Sequence, residues 1–312
     1  MLNILQIGRL TERFNTRLAH AYKVHTLWTE ADPAEFLARE GGRFDVVVTN
    51  APTGCSGAII DALPHLRAIV CFGVGYDAID VARARARFIP VSITPDVLTE
   101  CVADLAIGLI IDSSRRLSEM ERFLRAGAWL KGPPPLGRRV FGKRLGIVGL
   151  GKIGKAIARR AAGFGMETRY FNRRPELSVN LAYVASPVEL AAWADFLVLA
   201  CPGGAATRHL AGKDVLEALG PKGVLINIAR GSVVDDEALI DALRRGAIGG
   251  AALDVFTDEP NVPKAYLEFP NVVLLPHIGS STQETRAEME ELVFENLASF
   301  EATGALKTPI VF

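Results

Sequence analysis

The sequence predicts an α/β protein made of two doubly wound parallel-sheet domains. Three observations carry that reading. Its short apolar runs are mostly continuous rather than alternating, as in parallel strands covered on both faces. The runs alternate with helical patterns, which is the rhythm of strand–helix–strand units. Two long helical stretches lie where each could carry the chain from one domain to the other. The length of 312 residues is enough for two cores of medium size.

In chain order, the strand candidates of the first third are "NILQI" (3–7), "YKVHTLW" (22–28), "DVVVT" (45–49), "AIVCF" (68–72) and "FIPVSI" (88–93). A long helix is expected over 94–117, opening at Pro95 with Val102, Leu105, Ala106, Leu109 and Ile110 on its apolar face. The stretch "KGPPPLG" (131–137) is an arm or loop that cannot be helical. The second set of strands is "RLGIVGL" (144–150), "TRYFN" (168–172), "FLVLA" (196–200), "VLINIA" (224–229), "GAALDVF" (250–256) and "VVLLP" (272–276). A final helix over 285–301 places Met289, Leu292, Val293, Leu297 and Phe300 on one side. The expected organisation is a discontinuous domain, 1–98 plus 286–312, around a central domain, 99–285.

Composition narrows the function classes. Lys plus Arg and Asp plus Glu stand at 35 each, so no basic field for nucleic acid or anionic membrane is implied. No run approaches the ~20 apolar residues of a membrane span. Cys55, Cys71, Cys101 and Cys201 lack metal or CxxC spacing and read as buried free thiols, which suits a reducing compartment. The expectation is a cytoplasmic protein with no metal site.

Chemistry enters at "RLGIVGLGKIGKAIARR", a strand, then Gly149-Leu150-Gly151-Lys152-Ile153-Gly154, then a helix. In that context the glycines mark a Rossmann dinucleotide-binding turn. Gly149 permits the tight turn, Gly151 lets a pyrophosphate approach the backbone, and Gly154 lets helix and strand pack closely. The phosphates would meet the unpaired N–H groups of the helix N-terminus. A P-loop reading fails at Ala156, which stands where Ser or Thr must ligate magnesium.

The ribose-reading position falls at the end of the next strand. Asn172 stands there, 18 residues after Gly154, followed by Arg173 and Arg174. A carboxylate would bond the 2′-hydroxyl of NAD and repel a 2′-phosphate. Asparagine removes the repulsion, and two guanidinium groups suit a phosphate. The prediction is NADPH in preference to NADH, with NADH weaker. Two solvated surface arginines are the alternative.

Ligands of doubly wound sheets bind outside the carboxyl ends of the strands. That rule selects Arg230 after "VLINIA", Asp254 and Glu259 in and after "GAALDVF", and His277 after "VVLLP". Arg230 can clamp a carboxylate and polarise a carbonyl beside it. His277 can donate a proton. Glu259 can bond the far imidazole nitrogen and favour the charged ring. Asp254 is expected to contact the nicotinamide carboxamide.

With these residues the chain resembles the D-2-hydroxyacid dehydrogenases over nearly its whole length. The stretches that carry the resemblance are "GVGYDAID" (73–80), "VGLGKIGKAIARR" (148–160), "GPKGVLINIARGSVVDDEAL" (220–239), "GGAALDVFTDEP" (249–260) and "NVVLLPHIGSST" (271–282). It is most similar to NADPH-dependent hydroxypyruvate/glyoxylate reductases and hydroxyphenylpyruvate reductases. The resemblance implies Arg230, Glu259 and His277 as the catalytic set, with the backbone of Val74 and Gly75 holding a substrate carboxylate. It also implies Cys201, Pro202, Thr207, Ile228, Asp254, His277 and Gly279 along the cofactor, a small 2-oxo acid as substrate, and a homodimer. Two departures stand out: "CPGGAAT" (201–207) replaces the usual "CPLTPET" on the adenine side, and the arm reads "AWLKGPPPLG" where eukaryotic glyoxylate/hydroxypyruvate reductases carry an aromatic residue that reaches the partner subunit's site, Trp129 being expected in the core or a dimer interface. A corepressor-type binding module on the same fold keeps the same three residues and is the competing class; turnover separates the two.

Overall fold

A computed structural model describes residues 1–311 of the chain; Phe312, the end of the expected outer domain, lies outside the described residues. The chain divides into two compact units, Met1–Leu98 with the chain from Gln283 onward, and Thr99–Thr282.

In the first unit, strands β1 (Asn3–Gln6), β2 (Lys23–Thr26), β3 (Val46–Asn50), β4 (Ala68–Phe72) and β5 (Val91–Ser92) form one parallel sheet in the order β2-β1-β3-β4-β5. Helices α1 (Glu12–Ala21), α2 (Pro33–Glu40), α3 (Gly57–Asp61) and α4 (Val81–Ala86) make the crossovers. Leu5, Val47, Ile69 and Val91 are fully buried, as continuous apolar runs require.

In the second unit, α5 (Thr99–Arg115) and α6 (Leu117–Arg125) precede β6 (Arg144–Val148), α7 (Lys152–Ala162), β7 (Glu167–Phe171) and β8 (Ala182–Tyr183). Then come α8 (Pro187–Trp193), β9 (Phe196–Leu199), α9 (Lys213–Leu219), β10 (Val224–Asn227), α10 (Asp236–Arg244), β11 (Gly250–Leu253) and β12 (Val272–Leu274). The sheet runs β12-β11-β10-β9-β6-β7-β8, parallel throughout. Strand order reverses beside β6, so the glycine turn that follows β6 sits at the topological switch point. The last helix, α11 (Gln283–Thr303), returns to the first unit with Met289, Val293, Leu297 and Phe300 buried; Leu292 is only half-buried.

Several elements differ from expectation, each for a local reason. The helix expected from residue 94 begins at Thr99, because Asp96 takes φ +72° and Val97 N–H closes a turn onto Pro95 O. Its far end stops at Arg115, since Arg116 adopts φ +58° and starts α6 at an angle. The "FIPVSI" strand shrinks to two residues behind Phe88, which is 94% exposed at φ +55°. The "YKVHTLW" strand ends at Thr26, where a short 3-10 turn takes over, and "GAALDVF" pairs only to Leu253. Of the four free thiols, Cys101 is half-buried rather than buried and lies 3.3 Å from the Thr282 hydroxyl. Burial raises Cys201 to about 11 and Cys55 to about 12, the latter also under the charge of Asp80. Among the described residues no helix is long and apolar enough to cross a membrane, and no group of three His, Cys, Asp or Glu side chains could hold a metal.

Candidate active site

The glycine turn is built so that glycine is required at two places and left open at a third. Gly149 has φ +99°, and a Cβ there would lie 2.5 Å from the Cys201 nitrogen. At Gly154 a Cβ would lie 2.4 Å from the Gly149 carbonyl, so α7 could not approach β6. A Cβ on Gly151 would meet no protein atom within 4 Å. Gly151 therefore has no packing reason to be glycine. It caps α7 without a side chain, leaving the first N–H groups of an 11-residue helix facing an unfilled approach. That arrangement fits the pyrophosphate of a dinucleotide.

Asn172 is tied to this turn directly. Its Oδ1 accepts the Leu150 N–H at 2.7 Å, so the residue that ends β7 also holds the phosphate turn in shape. Arg173 and Arg174 are exposed, and neither makes a hydrogen bond or ion pair among the described residues. The nearest carboxylate along the chain, Glu176, does not neutralise them. It accepts from the Ser178 hydroxyl at 2.7 Å and pairs with Lys155 at 2.9 Å. The Ser178 hydroxyl, then Lys155, hold its carboxyl down at about 2. Lys152 opens α7, while Ile153 and Ile157 follow on the same helix, Ile157 fully buried.

On the far side of β6, Cys201 backs onto Gly149 and is nearly buried. The Thr207 hydroxyl donates to Pro202 O at 2.7 Å and closes the "CPGGAAT" loop on itself. The small residues of that loop thus leave a formed turn. Ile228 is buried just beyond β10, with its N–H on Leu199 O.

The three charged candidates stand on loops after adjacent strands. Past β12, His277 adopts φ +54°. Its Nδ1 lies 2.7 Å from Glu259 Oε2, while Glu259 Oε1 accepts the Phe256 N–H at 3.0 Å. Asp254 is 2% exposed, and its two oxygens accept the N–H groups of Ile278 at 2.7 Å and Gly279 at 2.9 Å. The side chain expected on the carboxamide is thus engaged in pinning the backbone after His277 in a left-handed conformation. Burial raises the Asp254 carboxyl, and those two N–H bonds and the His277 charge only partly oppose it.

Arg230 follows β10, and its Nη1 donates to Ala229 O at 2.8 Å. Sequence reasoning missed what positions it. Asn227, 1% exposed, donates to Arg230 O at 2.9 Å and accepts from Ala229 N–H at 3.0 Å. The signal was a polar residue inside an apolar strand, three positions before the arginine. Gly231 was missed as well. A Cβ there would lie 1.9 Å from the carbonyl carbon of Phe256, so the Arg230 loop rests on the backbone that carries Glu259.

Burial works to raise the Glu259 carboxyl, but it is outweighed by the His277 hydrogen bond, the Phe256 N–H and the charges of His277 and Arg230. The net shift is downward from about 4.5. A carboxyl lowered by folding contributes stability that is full above its unfolded value and lost as pH falls through the folded one. The melting-temperature gap between wild type and Glu259→Gln should therefore shrink as the pH falls below about 5. A gap that stays constant from about pH 5 to about pH 3 would contradict the assigned ion pair.

In the other unit, Val74 and Gly75 follow β4 on a half-exposed loop. Gly73 (φ +137°) anchors the loop through its N–H to the Thr94 hydroxyl at 3.0 Å. The N–H groups of Val74 and Gly75 make no hydrogen bond among the described residues.

Residues 107–279 match the family described as D-isomer specific 2-hydroxyacid dehydrogenase, NAD binding domain. The chain is 43% identical to a hydroxyphenylpyruvate reductase of Plectranthus scutellarioides, over 99% of each protein. It is likewise 43% identical to a glyoxylate/hydroxypyruvate reductase A of Arabidopsis thaliana, over 99% of each. Among solved structures it resembles an NADPH-dependent glyoxylate/hydroxypyruvate reductase of Sinorhizobium meliloti in complex with NADP and malonate. That likeness has a TM-score of 0.93 at 43% identity and covers 99% of this chain and 96% of the other. With the switch-point glycine turn and the strand-end Arg, Glu and His, these likenesses establish that the chain belongs to the D-isomer specific 2-hydroxyacid dehydrogenase family of NAD(P)-dependent oxidoreductases.

Proposed function

We propose that the protein is an NADPH-dependent reductase of a small 2-oxo acid, of the glyoxylate or hydroxypyruvate kind, giving the D-2-hydroxy acid. The observation that carries this reading is the His277–Glu259 pair at 2.7 Å, standing beside the Arg230 loop in a dinucleotide-binding unit. The reduced nicotinamide supplies the hydride to the carbonyl carbon. His277, with Nδ1 held by Glu259, gives a proton from Nε2 to the developing alkoxide. Arg230 polarises the carbonyl and draws the substrate carboxylate into line. The free N–H groups of Val74 and Gly75 suit a second hold on that carboxylate. Asp254 and Gly279 keep the His277 loop in shape beside the cofactor.

The preference for NADPH over NADH rests on Asn172, Arg173 and Arg174. Each charge-assisted bond to a 2′-phosphate would add on the order of 1.5–3 kcal/mol. Arg173→Ala/Arg174→Ala should therefore reduce the ratio of kcat/KM for NADPH over NADH by at least about tenfold. An unchanged ratio would show that the two arginines are solvated surface charge. The reading as a whole is tested by initial rates with both nucleotides against glyoxylate, hydroxypyruvate, pyruvate and hydroxyphenylpyruvate. Reduction of hydroxyphenylpyruvate alone would select the activity named for the Plectranthus relative. Consumption of none of them would favour a nucleotide-gated binding module.

Exposed apolar side chains gather between residues 117 and 141 of the second unit. Leu124 is 57% exposed, Trp129 64%, Leu130 and Leu136 94%, and Phe141 63%, and no residue of α6 is buried. Apolar surface of that kind supports assembly as a homodimer through the nucleotide-binding unit, with Trp129 in the interface. Four free thiols support a reducing, cytoplasmic setting.

A further inference from the structure

The segment that carries Glu259 is gripped at a point outside the reacting groups. Asp236, the first residue of α10, accepts from the Thr257 hydroxyl at 2.8 Å through Oδ2. Through Oδ1 it accepts from the Tyr266 hydroxyl at 2.7 Å. One carboxylate thus holds both ends of the loop, Thr257 to Tyr266, that carries Glu259. Asp236 does not cap its own helix; Asp235 does that, accepting the Ala238 N–H at 3.1 Å. Tyr266 is fully buried in the 3-10 turn Lys264–Glu268. Burial, then the Asp236 hydrogen bond, raise its hydroxyl, so it remains a donor. Between the two anchors Asp258, Pro260, Asn261 and Lys264 face solvent, while Glu259 and Val262 are half-buried.

We propose that Asp236, acting through Thr257 and Tyr266, is a positioning residue that holds Glu259 against His277. The proposal rests on the reading of His277 and Glu259 as the proton-donating pair. A glutamate carried on an exposed loop keeps a 2.7 Å bond only if its backbone is fixed, and Gly231 braces the Phe256 backbone from one side alone. The Asp236 grip supplies the other side. Of the charged groups coupled to this pair, Asp254 is held by bonds to Ile278 and Gly279, and Arg230 donates to Ala229. Loosening the grip therefore changes the Glu259 contribution and leaves the others in place.

The experiment follows the His277 imidazole by NMR as pH is varied in the full-length enzyme without substrate, alongside the pH profile of kcat/KM. Asp236→Ala should lower the His277 midpoint by about half a pH unit or more, because a carboxylate at hydrogen-bond distance favours the charged ring. The basic limb of kcat/KM should move down with it, while the dissociation constant for NADPH stays put. Asp236→Asn retains one acceptor oxygen and should fall between the two. Thr257→Val/Tyr266→Phe, which keeps the carboxylate and removes both donors, should reproduce the shift if Asp236→Ala does not fold. An unmoved midpoint in the folded variants, whatever happens to rate or melting temperature, would overturn the proposal. The titration needs no turnover, so a wild type that reduces no 2-oxo acid would refute the proposed function and leave this test standing.

Discussion

Replacing His277 by asparagine is expected to lower kcat by a factor of about 10²–10⁴, the usual contribution of a positioned general acid. That span corresponds to roughly 2.7–5.5 kcal/mol of transition-state stabilisation. Asparagine is chosen because position 277 sits at φ +54°, where asparagine is among the better tolerated side chains. The backbone beyond it stays pinned by Asp254 on the Ile278 and Gly279 N–H groups. The variant should melt within a few degrees of the wild type. Single-turnover measurement would place the loss on the chemical step. A kcat within tenfold of wild type would take the proton-donor role away from His277.

Gly231→Ala is the second large effect, and it acts through packing rather than chemistry. A methyl group there would start 1.9 Å from the Phe256 carbonyl carbon and 2.1 Å from the Thr257 nitrogen, both backbone atoms with no rotamer to turn away. Overpacking of that kind costs on the order of 1–3 kcal/mol. For a chain of this size each kcal/mol lowers the melting temperature by roughly 2–4 °C. Relief must come from separating the Arg230 loop and the Glu259 segment, and a displacement near 1 Å in a catalytic set costs on the order of 10²-fold in rate. The expectation is a folded enzyme, several degrees less stable, with kcat/KM down by about 10² and NADPH affinity little changed. Wild-type activity in this variant would mean that the two loops are not held in common.

What could be read from the sequence was whatever burial and backbone conformation write into residue type. Strands covered on both faces leave continuous runs such as "AIVCF" and "FLVLA", and these pair as full strands. A turn with three differently constrained glycines leaves a fixed spacing. Arg230, Glu259 and His277 could be picked out as candidates because they follow apolar strands, at the sheet edge where doubly wound folds bind ligands. The exposed two-residue strand β8 has no apolar run and left no trace. The start and end of the helix expected over 94–117 were misjudged where Asp96 and Arg116 take positive φ. The engagement of Asp254 with Ile278 and Gly279 could not be read from the sequence, because the partners lie more than twenty positions away in the chain. Asp236 and Tyr266 are thirty positions apart, and neither residue type alone announces the pairing.

The bond from Leu150 N–H to Asn172 Oδ1 also bears on how this enzyme could change hands between nucleotides. The side chain proposed to admit a 2′-phosphate also accepts the Leu150 N–H, so most substitutions at 172 would disturb the glycine turn as well. Aspartate is the exception. It is nearly isosteric, keeps an oxygen for the Leu150 N–H, and places a negative charge where a 2′-phosphate would lie. On the proposed NADPH preference, a switch toward NADH is open through that one substitution, because it leaves the Leu150 N–H its acceptor.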